Sequence, residues 1–128
     1  FKLVVDPSVN YSGYFDARSR SITMKQIDDS VYHELGHFLA FIAGNADKTA
    51  SFQSIFAAEK ANVTAFNKAY VTQNASEYFA ESVKDYILNN ASLKSSRPQT
   101  YAAVQNALNQ ITDAQIAKIQ KIYGAFWN

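Results

Sequence analysis

His33-Glu34-Leu35-Gly36-His37 holds both histidines of this 128-residue chain, and its reading decides what the rest of the sequence must build. On a helix of 3.6 residues per turn, positions 33 and 37 stack on one face. Two imidazoles so placed can share one Zn²⁺, and the glutamate between them can reach a water on the metal's open position. The competing reading is a pair of structural histidines flanking an acidic helix residue, the false positive that any short motif carries.

Working outward, Asp28-Asp29-Ser30 suits the N-cap and first turn of a helix, and Gly44-Asn45 suits its end. At 100° per residue, Val31, Leu35, Phe38, Leu39 and Ile42 form one apolar face. His33 and His37 fall roughly opposite, flanked by Glu34, so they are expected away from the helix's own core face. Gly36, Ala40 and Ala43 make a small-residue edge. Glycine inside a helix costs about 1 kcal/mol relative to alanine, so Gly36 marks a place where another segment comes close.

The residues before this helix read as β-structure. Phe1-Lys2-Leu3-Val4-Val5 is a strand closed by Asp6-Pro7. Its position at the very start suggests a mature form or an excised domain lacking upstream residues. Gly13-Tyr14-Phe15-Asp16 and Ser21-Ile22-Thr23-Met24 flank the polar Ala17-Arg18-Ser19-Arg20 and predict a hairpin that packs on the following helix. Everything after the motif is helical in pattern. A second helix is expected over Lys48 to Phe66, with Glu59 on its exposed side. A third runs from Asn74 toward Leu93, and Arg97-Pro98 breaks it. Ser95 or Ser96 caps a fourth through Leu108, and a capping box at Thr112-Asp113-Ala114-Gln115 opens a last helix that stops near Gly124. The expected fold class is α+β: a small N-terminal sheet on the motif helix, then a helical C-terminal lobe, one domain over residues 1–128.

Composition narrows the chemistry. A net charge of +1 without any lysine or arginine stripe argues against nucleic acid as a partner. No apolar run reaches the length of a membrane span. Cysteine is absent, so a metal site must use histidine and carboxylate; this is also compatible with a secreted bacterial protein.

A catalytic zinc site needs a third protein ligand. With Ala43 six residues beyond His37, no third histidine stands there, which leaves four glutamates to consider. Glu77 and Glu81 in Glu77-Tyr78-Phe79-Ala80-Glu81 share one helix face, with Phe79 and Val83 on the other. Glu77 is the candidate ligand and Glu81 the candidate partner that orients an imidazole. Asn74-x-x-Glu77 also reads as a capping box, and Glu81 four before Asp85 as a solvated charge.

These residues resemble the catalytic domain of anthrax lethal factor-like metallopeptidases, a group that includes secreted clostridial Pro-Pro endopeptidases. The resemblance rests on His33 to His37, Tyr70 and Glu77 to Ser82, with support from the hairpin, and covers roughly residues 12 to 90. It implies a zincin fold of the glutamate type, with one Zn²⁺ held by His33, His37 and Glu77 and with Glu34 as general base. It implies that Tyr70, seven residues before the ligating glutamate, steadies the transition state. It further implies that Ile22, Thr23 and Met24 form the edge strand on which a peptide substrate adds to the sheet. The implied activity is endopeptidase cleavage of a peptide or protein by a secreted monomer, alone or within a larger protein. Segments that would read proline have no visible counterpart, so a Pro-Pro preference is not implied. The alternative is a catalytically silent zincin-like binding module of a larger toxin or surface protein.

Overall fold

The computed structural model describes residues 2–9, 13–16, 18, 19, 21–24, 28–65 and 67–127; the side chains of Lys2 and of residues 123–127 are excepted. Phe1 of the expected first strand, Ala17 and Arg20 of the expected hairpin loop, and Phe66 of the second expected helix lie outside the described residues. The fold is α+β and mostly helical, with one three-stranded sheet.

Strand β1 is Lys2–Val5, β2 is Gly13–Asp16 and β3 is Ser21–Met24. Strands β2 and β3 form the expected antiparallel hairpin, with Phe15 opposite Ile22 and Gly13 opposite Met24. Strand β1 then joins β3 from the other side in parallel, with Leu3 opposite Ile22, giving the order β1-β3-β2. This corrects the edge-strand reading of Ile22, Thr23 and Met24. They lie in the central strand, whose two edges are already taken by β1 and β2, so a peptide has no ladder to complete there. The alternation along β3 buries Ile22 and Met24 completely.

Helix α1 spans Ser30–Ile42. It stops where Gly44 (φ 81°) and Asn45 (φ 60°) enter the left-handed region, the conformation that ends many helices and favours these two residue types. One flank of α1 packs on the sheet, where Phe15 meets Phe38 edge-to-face at 5.7 Å. The other flank packs on α4, Ala75–Leu88, in the most extensive contact between any two elements. The expected apolar face is therefore not the whole story. Leu35, Phe38 and Leu39 are half-buried, whereas His33, Glu34, Gly36 and Ala40 are buried, because α4 covers the small-residue edge and the histidine side together.

The second expected helix is shorter than its sequence suggests. A 3-10 turn at Ala46–Lys48 precedes α2, Ala50–Glu59, whose first turn is capped by Thr49 accepting from the Phe52 N–H. A second 3-10 turn, Lys60–Asn62, leads into extended chain, and α3 is the single turn Lys68–Val71. The third expected helix divides at Asn89 into α4 and α5, Asn90–Ser96. Helix α6 is Pro98–Asn109 and α7 is Asp113–Trp127, running past Gly124. Thr112 caps α7 by accepting from the Gln115 N–H, while the Gln115 side chain reaches the Ile42 carbonyl instead of closing the box.

Glu59 is corrected outright. It is buried, not exposed, and accepts from the N–H groups of Gln99 and Thr100 and from the Thr100 hydroxyl. The cap of α6 is thus a carboxylate supplied by α2 rather than Ser95 or Ser96, and it neutralises the positive end of the helix. Thr100 also pairs with the Tyr78 hydroxyl at 2.6 Å, which fastens α6 to α4 beside Glu77. The main core lies around this junction: Ala40, Phe52, Val71, Tyr78, Phe79, Val83 and Val104 are all buried in it.

Candidate metal centre

Two helices assemble the site. Helix α1 presents His33 and His37 one turn apart, their ring centroids 5.1 Å from each other. Helix α4 presents Glu77 and Glu81 one turn apart, opposite them. Asn74 caps α4 by accepting from the Glu77 N–H at 2.8 Å, which is one half of the expected capping box; the Glu77 carboxylate meets His33 instead of closing it. The cap uses the backbone of Glu77 and leaves its carboxylate for the histidines. Asp47, buried in the turn after α1, accepts from Ser76 and pins the same end of α4.

The helices can approach because of Gly36. A Cβ at that position would stand 2.6 Å from the Ala80 carbonyl oxygen and 2.7 Å from the Ala80 Cα. Any side chain there would collide with backbone, which cannot rotate away. Gly36 is flanked by the two histidines, and Ala80 lies between the two glutamates, so the closest point of the helix pair is also the centre of the site.

His33 Nε2 donates to Glu77 Oε2 at 2.8 Å, and His37 Nε2 lies 3.4 Å from the same oxygen. The second nitrogen of His33, Nδ1, faces Glu81 Oε2 at 3.4 Å. Lys84 in turn lies 3.5 Å from the other Glu81 oxygen. Burial alone would pull the His33 pKa down, but hydrogen bonds to Glu77 and Glu81 and the charges of Glu81 and Glu34 outweigh it. The net result is a pKa raised to about 9. Burial opposes ionisation of Glu77 and Glu81, yet their contacts with the histidines hold both below the usual carboxylate range. The site thus gathers the Glu77 and Glu81 carboxylates around the two imidazoles, a donor pattern suited to a cation.

The donor set fits zinc. One nitrogen from each histidine and one Glu77 oxygen all lie within 4.8 Å of one another. Tetrahedral zinc with bonds of about 2.0–2.2 Å puts its ligand atoms about 3.3 Å apart. The 3.4 Å separation of His37 and Glu77 matches that spacing, while the 2.8 Å contact of His33 with Glu77 is a hydrogen bond shorter than it. Glu81 stays on the far nitrogen of His33, the place from which a carboxylate fixes the tautomer and orientation of a metal-bound imidazole.

Glu34 is not part of this ligand group. Its carboxyl is buried, and burial raises its pKa against the opposing pull of the histidines. It packs under the start of β2, against Gly13. Tyr70 stands on the open side, 52% exposed, its ring centroid 6.2 Å from that of His33. Burial of Val71 anchors the α3 turn that carries it. Partial burial and the charges of Glu77 and Glu34 raise the Tyr70 pKa and keep its phenol a proton donor. The structure thus brings five of the site residues expected from sequence to one place: His33, Glu34, His37, Glu77 and Glu81, with Tyr70 at the rim. It does not bring Ile22, Thr23 and Met24 to a free edge.

Sequence reasoning missed Gly13 and Glu59. An isolated glycine opening a strand carries no signal of what it packs against, and Ala57-Ala58-Glu59-Lys60-Ala61 reads as a helix surface. Both depend on contacts between distant segments.

Residues 15–107, which include all of the metal-binding candidates, match the family described as anthrax toxin lethal factor, N- and C-terminal domain. The chain is also 41% identical over 78 residues to the Pro-Pro endopeptidase of Clostridioides difficile (strain 630). That alignment takes in 58% of this chain and 34% of the relative, so it spans about a third of the length of the protein it resembles.

Proposed function

The chain belongs to the anthrax toxin lethal factor domain family, and from that premise we propose that it is a zinc-dependent endopeptidase with a zincin-type active site. The observation that carries this reading is the convergence of His33, His37 and Glu77 on one cation-sized space, with Glu34 beside it and outside the ligand group. Zinc held by these three side chains would supply Lewis acidity to a water and to the scissile carbonyl. Glu34 takes the water's proton and later delivers it to the leaving amine, a task that its raised pKa favours. Tyr70 donates to the oxyanion as it forms, from the exposed side where a substrate enters. Glu81 holds His33 in register throughout.

The substrate is a peptide or protein segment in extended form. Among the described residues, β2 pairs only with β3, and β2 begins beside Glu34. Strand addition along β2, rather than along β3, would run a peptide past the metal. The setting proposed is extracellular, in keeping with toxin-like relatives; among the described residues no helix is long and apolar enough to cross a membrane.

The test is digestion of a mixed peptide library by the zinc-loaded protein, with and without chelator, alongside Glu34→Ala. The expected result is chelator-sensitive cleavage that zinc restores, and a Glu34→Ala protein that keeps stoichiometric zinc but loses nearly all cleavage. Cleavage that survives in Glu34→Ala would overturn the mechanism. A zinc-loaded wild type that cleaves nothing would favour a silent binding module.

A further inference from the structure

We propose that Gly13 is a positioning residue for the general base: its missing side chain is the slot that holds the Glu34 carboxylate in its working orientation. The inference rests on the reading of Glu34 as base given above. A Cβ at Gly13 would stand 2.8 Å from Glu34 Cγ and 3.2 Å from Glu34 Cδ, and 3.0 Å from the Met24 sulfur. Real side chains do not tolerate such distances, so any residue other than glycine must displace Glu34, Met24 or the strand. Met24 is completely buried in the central strand opposite Gly13, which leaves it little room to yield. Cγ and Cδ fix the aim of the carboxylate, so a push there is transmitted directly to its oxygens.

Backbone conformation does not require glycine here. Gly13 is paired in an antiparallel ladder and is not among the residues with positive φ. Gly13 opens β2, where a glycine still costs chain entropy and brings no side chain to pack. What glycine provides at this point is space, and the atoms that fill it are Glu34 Cγ and Cδ together with the Met24 sulfur. Of the site residues, Glu34 alone stands among those three nearest neighbours. His33, His37 and Glu77 are not among the nearest neighbours of a Gly13 Cβ, so the slot orients the proton acceptor independently of the metal ligands.

A double-mutant cycle tests this with two kinds of measurement. The proteins are wild type, Gly13→Ala, Glu34→Ala and the double variant, each studied as purified and after zinc removal. Gly13→Ala is expected to lower Tm by about 3–6 °C in the wild-type background. In the Glu34→Ala background, where Cγ and Cδ are gone, that loss is expected to disappear or reverse, with or without zinc. An equal Tm loss in both backgrounds overturns the proposal, because the clash would then lie with Met24 or the strand. In the peptidase assay, Gly13→Ala is expected to retain stoichiometric zinc and an unchanged KM while kcat falls about 10–100-fold, the scale of a misplaced catalytic group. A kcat equal to wild type, or a kcat loss that follows zinc loss, also overturns it. Thermal coupling present in a wild type that cleaves no peptide would mean that the slot is real and the catalytic reading of Glu34 is wrong.

Discussion

Gly36→Ala sets two known effects against each other, and the structure says which prevails. In a solvent-exposed helix the change would stabilise by about 1 kcal/mol through helix propensity. Here the new Cβ would lie 2.6 Å from the Ala80 oxygen, 2.7 Å from its Cα and 3.0 Å from its carbonyl carbon. Carbon atoms in contact prefer about 3.5–4.0 Å, so α1 and α4 must separate by roughly 1 Å. Overpacking of this kind costs about 1–3 kcal/mol, which exceeds the propensity gain over most of its range. The expected net result is a Tm lower by several degrees. The effect on metal binding should be clearer still. His33 and His37 ride on one helix and Glu77 on the other, and zinc tolerates errors of about 0.2 Å in its bond lengths. We expect zinc affinity to fall at least tenfold, about 1.4 kcal/mol. Calorimetry of the metal-free protein and competition against a chromophoric chelator measure the two effects separately. A Gly36→Ala protein with a raised Tm and unchanged zinc affinity would refute the claim that this contact sets the site.

Further predictions concern the supporting residues. Glu59→Ala leaves the Gln99 and Thr100 donors without their buried acceptor, and thermal unfolding should show a loss of about 1–3 kcal/mol with zinc stoichiometry unchanged. An unaltered Tm would mean that the cap contributes nothing. Glu81→Gln weakens the hold on His33 and should reduce zinc affinity about 10–100-fold in the chelator competition; wild-type affinity would assign Glu81 to the surface. In the metal-free protein the pair of His33 and Glu77 has its own pH signature. The His33 pKa is raised from 6.5 to about 9, so its contribution is complete below pH 6.5 and is lost as pH rises through 9. The Glu77 pKa is lowered from 4.5, so its contribution is present above pH 4.5 and lost as pH falls below it. The Tm advantage of wild type over Glu77→Gln in chelator should therefore be greatest between pH 4.5 and 6.5 and shrink on both sides. An advantage that keeps growing toward pH 10 would contradict this pairing.

What could be read from sequence was what depends on local spacing. The hairpin strands followed from alternation around a polar loop, and the motif helix followed from its caps and its stop at Gly44-Asn45. The facing of Glu77 and Glu81 to one side followed from helical periodicity. Gly36 announced a close approach because glycine is costly within a helix, although its partner, Ala80, was not legible. The errors that bear on the site arose where a distant segment decides the outcome. Strand β1 closes the outer edge of β3 through parallel pairing, and nothing in Ile22-Thr23-Met24 encodes that neighbour. Glu59 looks like a surface residue within its own helix, and only the position of α6 makes it a buried cap. His33 was expected off the core face of α1, and it is buried because a second helix covers that side as well.

The most direct test of the central claim is X-ray absorption at the zinc edge on the zinc-loaded protein, compared with Glu77→Ala. One zinc per chain is expected, with two imidazoles at about 2.0–2.1 Å and an oxygen-completed shell of four, and reduced zinc content in Glu77→Ala. A shell without two imidazoles, or full zinc content with an unchanged spectrum in Glu77→Ala, would contradict it.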